Sequence, residues 1–214
     1  MRNRHEHTLR ALAALLAYPD EELLADLADI AAVLEGASGL SREARGQLLA
    51  LATELGNDAL LEAQVRYVDL FDRGRSTSLN LFEHVYGDGR DRGPAMIELR
   101  QRYQRLGLEQ AGHELPDHLP VLLEYLSCCD QAEVPELLGE CEEPLRKLGE
   151  ALARRQSRYA AVVAALLALA GLPRLDPAAA PSPPEDPDRD WAERPAFEPL
   201  HSRQTAASSR GAQP

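Results

Sequence analysis

SRYAAVVAALLALAGL, residues 157–172, decides the fold. Alanine and leucine are strong helix formers, and Val162, Val163, Leu166, Leu167 and Leu169 leave the helix almost no polar face. A helix that is apolar nearly all round belongs at the centre of a core. Ser157 is placed to cap its start. The apolar run Ala160–Leu172 is thirteen residues long, short of the ~20 that a bilayer span requires, so the stretch predicts a core helix and not a membrane anchor.

Outward from that helix the chain reads as helix after helix, with no period-2 run that would suggest a strand. Leu9, Leu12, Leu15 and Leu16 form a first stripe. Asp20, followed by Glu21 and Glu22, caps a second helix whose Leu23, Leu27, Ile30 and Leu34 face inward and which ends at Gly36. Ser41 opens a third, carrying Leu48, Leu51 and Leu55 to Gly56. A fourth runs from Asp58, with Leu61, Val65 and Val68 on one side and Leu60, Tyr67 and Phe71 on the adjoining one. After Pro94, Met96, Leu99, Tyr103 and Leu106 make a fifth. Asp117 is expected to N-cap a sixth, with Leu119, Leu122, Leu123 and Leu126 on one face. Leu137, Cys141, Leu145, Leu148 and Leu152 make a seventh, bent or broken at Pro144. The expected fold is all-α: one helical-bundle domain of seven to eight helices over residues 1–172, with a long functional loop and a disordered tail.

The tail, 173–214, holds nine of the fifteen prolines and reads as a Pro-rich acidic disordered segment. Trp191 and Phe197 within it suit a short docking motif, but a flexible tail that happens to contain two aromatics is the blander reading. The chain of 214 residues has a formal charge of −12; seven acids and five arginines leave −2 on the tail and −10 on residues 1–172. Such a balance excludes nonspecific binding to nucleic acid or an anionic membrane surface. With 44% hydrophobic but only 5% aromatic residues, the core must be built from Leu, Ala and Val. Three crowded cysteines, Cys128, Cys129 and Cys141, suggest unpaired thiols and a reducing cytoplasm. Tyr18, Pro19 and the acids after them interrupt the first apolar stretch, and no signal peptide is read.

Catalytic patterns are missing. There is no HExxH, no paired ExxH and no GxSxG. Cys128 and Cys129 are adjacent, which fits neither a CxxC redox pair nor a zinc knuckle, so buried small hydrophobes is the better reading for them. The glycines of GDGRDRG, at 87, 89 and 93, do not fit GxGxxG and follow no strand. No metal and no cofactor is expected.

Two constellations look like recognition. The first is the stretch 73–93, whose four glycines interrupt the helical pattern just after Tyr67, Leu70 and Phe71. It contains Glu83, His84 and Tyr86. Loops this long are uncommon in compact domains and often functional. From Asp69 to Gly93 five acids face four arginines, so ion pairs that pin the loop stand level with ligand contact. The second is Asp117-His118 between Pro116 and Pro120. Pro120 has no N–H to donate, which leaves one carboxylate lone pair of Asp117 available. A cap with a surface histidine beside it is the plain alternative.

YVDLFDRGRSTSLNLFEHVYGDGRDRGPAM (67–96) and ELPDHLPVLLEYLS (114–127) together closely resemble the NarJ family, cytoplasmic molybdenum-cofactor assembly chaperones of respiratory nitrate reductase within the redox enzyme maturation superfamily. The resemblance implies a system-specific chaperone and not an enzyme. Its client would be the nitrate reductase catalytic (alpha) subunit, bound by a basic N-terminal leader, kept off its membrane anchor and held open for molybdenum cofactor and iron–sulfur insertion. It also allows contact with cofactor-delivery proteins. The YxxLF helix end and the PDH motif border the superfamily's peptide groove, which places Tyr67, Leu70, Phe71, Asp117 and His118 there; Glu83, His84, Tyr86, Leu122 and Tyr125 complete the expected set, with Glu124 on the same wall. The competing readings are a helical metal- or haem-binding enzyme using His84, His113, Asp117 and His118, and a generic peptide-binding adaptor.

Overall fold

A computed structural model describes residues 3–86, 91–109 and 112–175. Gly87, Gly89 and the tail from 176 onward, for which disorder is expected, lie outside the described residues. Among the described residues ten α-helices form: α1 (Glu6–Leu15), α2 (Glu21–Glu35), α3 (Arg42–Asn57), α4 (Leu60–Tyr67), α5 (Glu83–Tyr86), α6 (Arg92–Arg105), α7 (Leu119–Cys128), α8 (Glu133–Glu140), α9 (Glu142–Arg154) and α10 (Ala160–Leu169). No strand occurs among the described residues, only an isolated antiparallel bridge between Asn80 and His118. The all-α expectation holds, with two more helices than the eight read from the pattern.

The apolar helix lies where its composition requires. Val162, Val163, Ala165, Leu166 and Leu167 of α10 are all 0% exposed, and the helix packs against α9, α3 and α8. Its entry is tighter than expected: Ala160, Ala161 and Val162 donate to the carbonyls of Ser157, Arg158 and Tyr159, three residues back. Tyr159 therefore takes the N-cap position and Ser157 opens the turn before it. The first helix, α1, packs on α7 and α2, with Leu9, Leu12, Leu15 and Leu16 completely buried. Asn3 fastens the start of the described chain: its Nδ2 donates to Leu126 O at 2.8 Å and its Oδ1 accepts from His5 N at 3.0 Å.

Helix starts with local side-chain caps fall where the sequence puts them. Asp20 Oδ1 accepts from Leu23 N at 2.7 Å, and Ser41 Oγ from Ala44 N at 3.1 Å. The expected seventh helix breaks at Cys141 instead of Pro144. Pro144 then stands in the first turn of α9, where its missing N–H leaves no bond unmade.

The fourth helix turns differently from the pattern. Leu61 and Val65 are 71% and 53% exposed, and the buried positions are Ala63, Tyr67 and Phe71. Beyond Tyr67 the chain continues as a π-helical turn, Val68–Asp72, with Arg73 N bonded to Val68 O. The expected long loop is then a series of short turns: a 3₁₀ turn over Arg75–Thr77, the bridge at Asn80 and α5. Ion pairs Arg73–Asp69 at 2.8 Å and Arg92–Glu83 at 3.3 Å help pin it, as does the fully buried Thr77 hydroxyl, which donates to Leu70 O. Past Leu172 the described chain still lies on the domain, with Arg174 at 3.2 Å from Glu43 and Leu175 packed against the core.

Candidate functional site

Asp117 is the centre of the second constellation, but not as an N-cap. α7 begins at Leu119 with His118 in the cap position and no side-chain cap bond. The Leu119 amide, in the first turn that an Asp117 cap would serve, donates instead to Leu79 O at 2.9 Å; Leu81 N donates to Asp117 O at 3.1 Å. The Asn80–His118 bridge between these bonds stitches the 73–86 stretch to the start of α7. Asp117, 0% exposed, uses Oδ2 to accept from Phe82 N at 2.9 Å, while its Oδ1 has no partner. A spare carboxylate oxygen was expected; the cause is tertiary pairing and not the missing Pro120 N–H. Burial pushes the Asp117 carboxyl above its ordinary value, opposed by the Phe82 amide and the nearby Arg92 cation.

The two histidines of the expected set are half-buried, and burial lowers both. His84 ring Nε2 lies 2.8 Å from Ser78 O, and its carbonyl accepts from Lys147 Nζ at 2.9 Å. His118 Nδ1 stands 3.9 Å from Glu114, whose charge, with that of Asp72, pulls against the burial. Glu83 is held by Arg92, and Tyr86, 37% exposed, meets the Phe82 ring edge-on at 5.6 Å.

The YxxLF residues belong to the core more than to the surface. The Tyr67 ring lies tilted 4.7 Å from Phe71, which meets Tyr159 edge-on at 4.9 Å, and Tyr67 OH donates to Leu16 O at 2.8 Å. Burial raises the Tyr67 phenol well above its usual range. Tyr67, Phe71, Leu122 and Tyr125 are each 6% exposed or less, whereas Leu70 is half-buried. The structure does not gather the ten expected residues in one cavity. Tyr67 and Leu70 border one small pocket, Tyr86, Asp117 and Leu122 another, and Tyr125 a third.

That third cavity, about 660 Å³, is a groove between α1 and α7 closed by the α6 end. Its walls are apolar: Ala13 and Ala14 from α1, Ala17 just beyond it, Val121 and Tyr125 from α7, and Leu108. Glu109, Glu114 and Glu124 stand at its edge against one cation, Arg10. Tyr103 lines it too, with its ring 4.6 Å from Tyr125 and its hydroxyl donating to Pro116 O at 2.6 Å, one residue before Asp117. The sequence reading found Tyr125 and Glu124 but missed the alanines of α1, whose signal was a small-residue face beside a leucine stripe. Cys128 also lines the groove and is exposed, which corrects its reading as a buried hydrophobe. Cys129 and Cys141 are buried, and burial pushes their thiols up to about 11 and about 12.

No group of three metal-holding side chains occurs among the described residues, and none of their helices is long and apolar enough to cross a membrane. An apolar, acid-edged groove on a helical scaffold is the equipment of a protein that binds other chains. In fold the chain is similar to a candidate redox enzyme maturation protein of Archaeoglobus fulgidus, with a TM-score of 0.55 and 24% identity, over 75% of this chain and 90% of that one. Residues 37–165 match the family described as nitrate reductase delta subunit. The nitrate reductase molybdenum cofactor assembly chaperone NarJ of Escherichia coli K12 is 42% identical over 159 residues, 74% of this chain and 67% of that one. A Bacillus subtilis protein named as a probable chaperone of the same kind is 31% identical, over 75% of this chain and 86% of its own. The chain belongs to this NarJ family, and is a chaperone and not an enzyme.

Proposed function

We propose that this chaperone serves a respiratory nitrate reductase in the cytoplasm: it binds the basic N-terminal leader of the catalytic subunit, delays that subunit's attachment to its membrane anchor, and keeps it open for molybdenum cofactor and iron–sulfur insertion. The observation that supports this best is the α1–α7 groove. Its volume of about 660 Å³ is within the ~300–1,000 Å³ of ligand sites, and its apolar walls suit the apolar face of an amphipathic helix. The glutamates at its edge are of the sign that attracts basic residues flanking that face. The names of the relatives point to nitrate reductase; the groove and its charge support binding of a basic, amphipathic leader.

A pull-down from cells expressing the catalytic subunit tests this, with and without its first ~40 residues, a length chosen to exceed the ~20–30 of common amphipathic helices. Capture that depends on the leader is expected. Equal capture of the truncated subunit places recognition elsewhere and overturns leader binding.

A further inference from the structure

The α1 side of the apolar groove consists of three methyl groups, Ala13, Ala14 and Ala17, and one long side chain, Arg10. Methyl groups admit any apolar occupant that fits, so Arg10 is the group on this side able to tell one occupant from another. It stands three and four residues before Ala13 and Ala14, on the same face of the helix, and is exposed. Among the described residues lining the groove it is the one cation, against Glu109, Glu114 and Glu124. Those carboxylates do not hold it: no ion pair to Arg10 occurs among the described residues. Arg66, Arg92, Arg102, Arg146 and Arg158 of the same domain are each paired with a carboxylate. An unneutralised guanidinium thus stands in a wall whose other charges are all negative.

We propose that Arg10 determines specificity in this groove: it pairs with one acidic side chain of the otherwise basic client leader and so fixes the leader's register. The leader's cations are drawn to the glutamates, but a cation brought opposite Arg10 is repelled, and an apolar residue there covers the guanidinium without giving it a partner. A carboxylate meets both demands, and the planar guanidinium donates to it in a fork of fixed geometry. Selection of this kind comes from what is repelled as well as from what is attracted. Leaders of equal basicity and apolar content are then separated by whether an acid falls at the right place along the helix. The inference rests on leader binding and adds to it the residue that chooses between leaders.

Calorimetry on the full chain tests it, with a synthetic leader of the catalytic subunit and with leaders in which one Asp or Glu at a time is changed to its amide. One position is expected to lose about fivefold or more in affinity, between the effect of an exposed ion pair and that of a charged hydrogen bond. Arg10→Gln should be indifferent to that amide. Arg10→Glu should reverse the preference, binding a leader with lysine at the position more tightly than the unchanged one. Arg42→Glu, at an exposed site of α3 that does not line the groove, makes the same change in net charge and should keep the wild-type preference. If no amide weakens binding, or if Arg10→Glu and Arg42→Glu rank the leaders alike, the role of Arg10 is overturned and leader binding stands. A leader that the wild type does not bind overturns both.

Discussion

Burial sets the behaviour of the ionisable residues in the 78–118 region more than their neighbours do. His84 and His118, with His5 near the N-terminus, are lowered from 6.5 chiefly because the cation loses solvation inside. The folded domain therefore takes up protons at these rings less readily than the unfolded chain. Stability is complete above 6.5 and declines as pH falls below it, levelling off once the folded rings protonate as well. Asp117 runs the other way: burial raises its carboxyl, so the folded chain binds that proton more readily than the unfolded one and acidification relieves part of its burial penalty. Thermal melts from about pH 7.5 to about pH 5.5 should show a falling Tm. His84→Gln, which can still donate to Ser78 O, should flatten the fall, and Asp117→Asn should steepen it. An unchanged slope in both variants would mean that neither group titrates differently on folding. Truncating Asp117 to alanine is a poorer probe, because it strands the Phe82 amide and is expected to cost about 1–3 kcal/mol of stability in itself.

The element with least room is the α9–α10 contact. A Cβ on Gly149 would stand 2.9 Å from Val163 Cγ1 and 2.8 Å from Leu175, whereas one on Gly139 of α8 would meet nothing within 4 Å. Alanine is the better helix former by about 1 kcal/mol, so Gly139→Ala is expected to raise Tm. Gly149→Ala is expected to lower stability by about 1–3 kcal/mol, since Val163 belongs to a close-packed, β-branched core and cannot swing aside as Leu175 can. Denaturant titration of the two variants checks this, and a stabilised Gly149→Ala would show that α9 can shift off α10. Helices whose boundaries depend on their own residues, such as α2 with Asp20 and α3 with Ser41, were legible in the sequence. Those governed by distant partners were not. Asp117 reads as a cap until Leu79 takes the Leu119 amide, and Leu61 and Val65 read as one side of a buried helix until the burial of Tyr67 and Phe71 fixes the rotation of α4.

For the molecule as a whole, −10 on residues 1–172 sets up a field that would draw the basic leader of the proposed function before any contact forms. Leader affinity is expected to fall as salt rises from about 50 to about 500 mM, because the screening length drops well below the size of the domain. A flat response would mean that the apolar groove alone carries recognition. The all-helical class and the family were visible in the residues themselves, since leucine period and the YxxLF and PDH patterns are local. The groove was not, because it is made by what α1 lacks: alanines at 13, 14 and 17 leave space that becomes a cavity only when α7 and the α6 end are brought across it.

The bridge at Asn80 and His118 has a consequence for exchanging client preference between related chaperones. The bonds from Leu81 to Asp117, from Phe82 to the Asp117 carboxylate and from Leu119 to Leu79 cross between the two blocks of sequence at 67–96 and 114–127. A graft of either block alone would pair foreign backbone with native backbone at this seam, so a chimera should carry both blocks or neither.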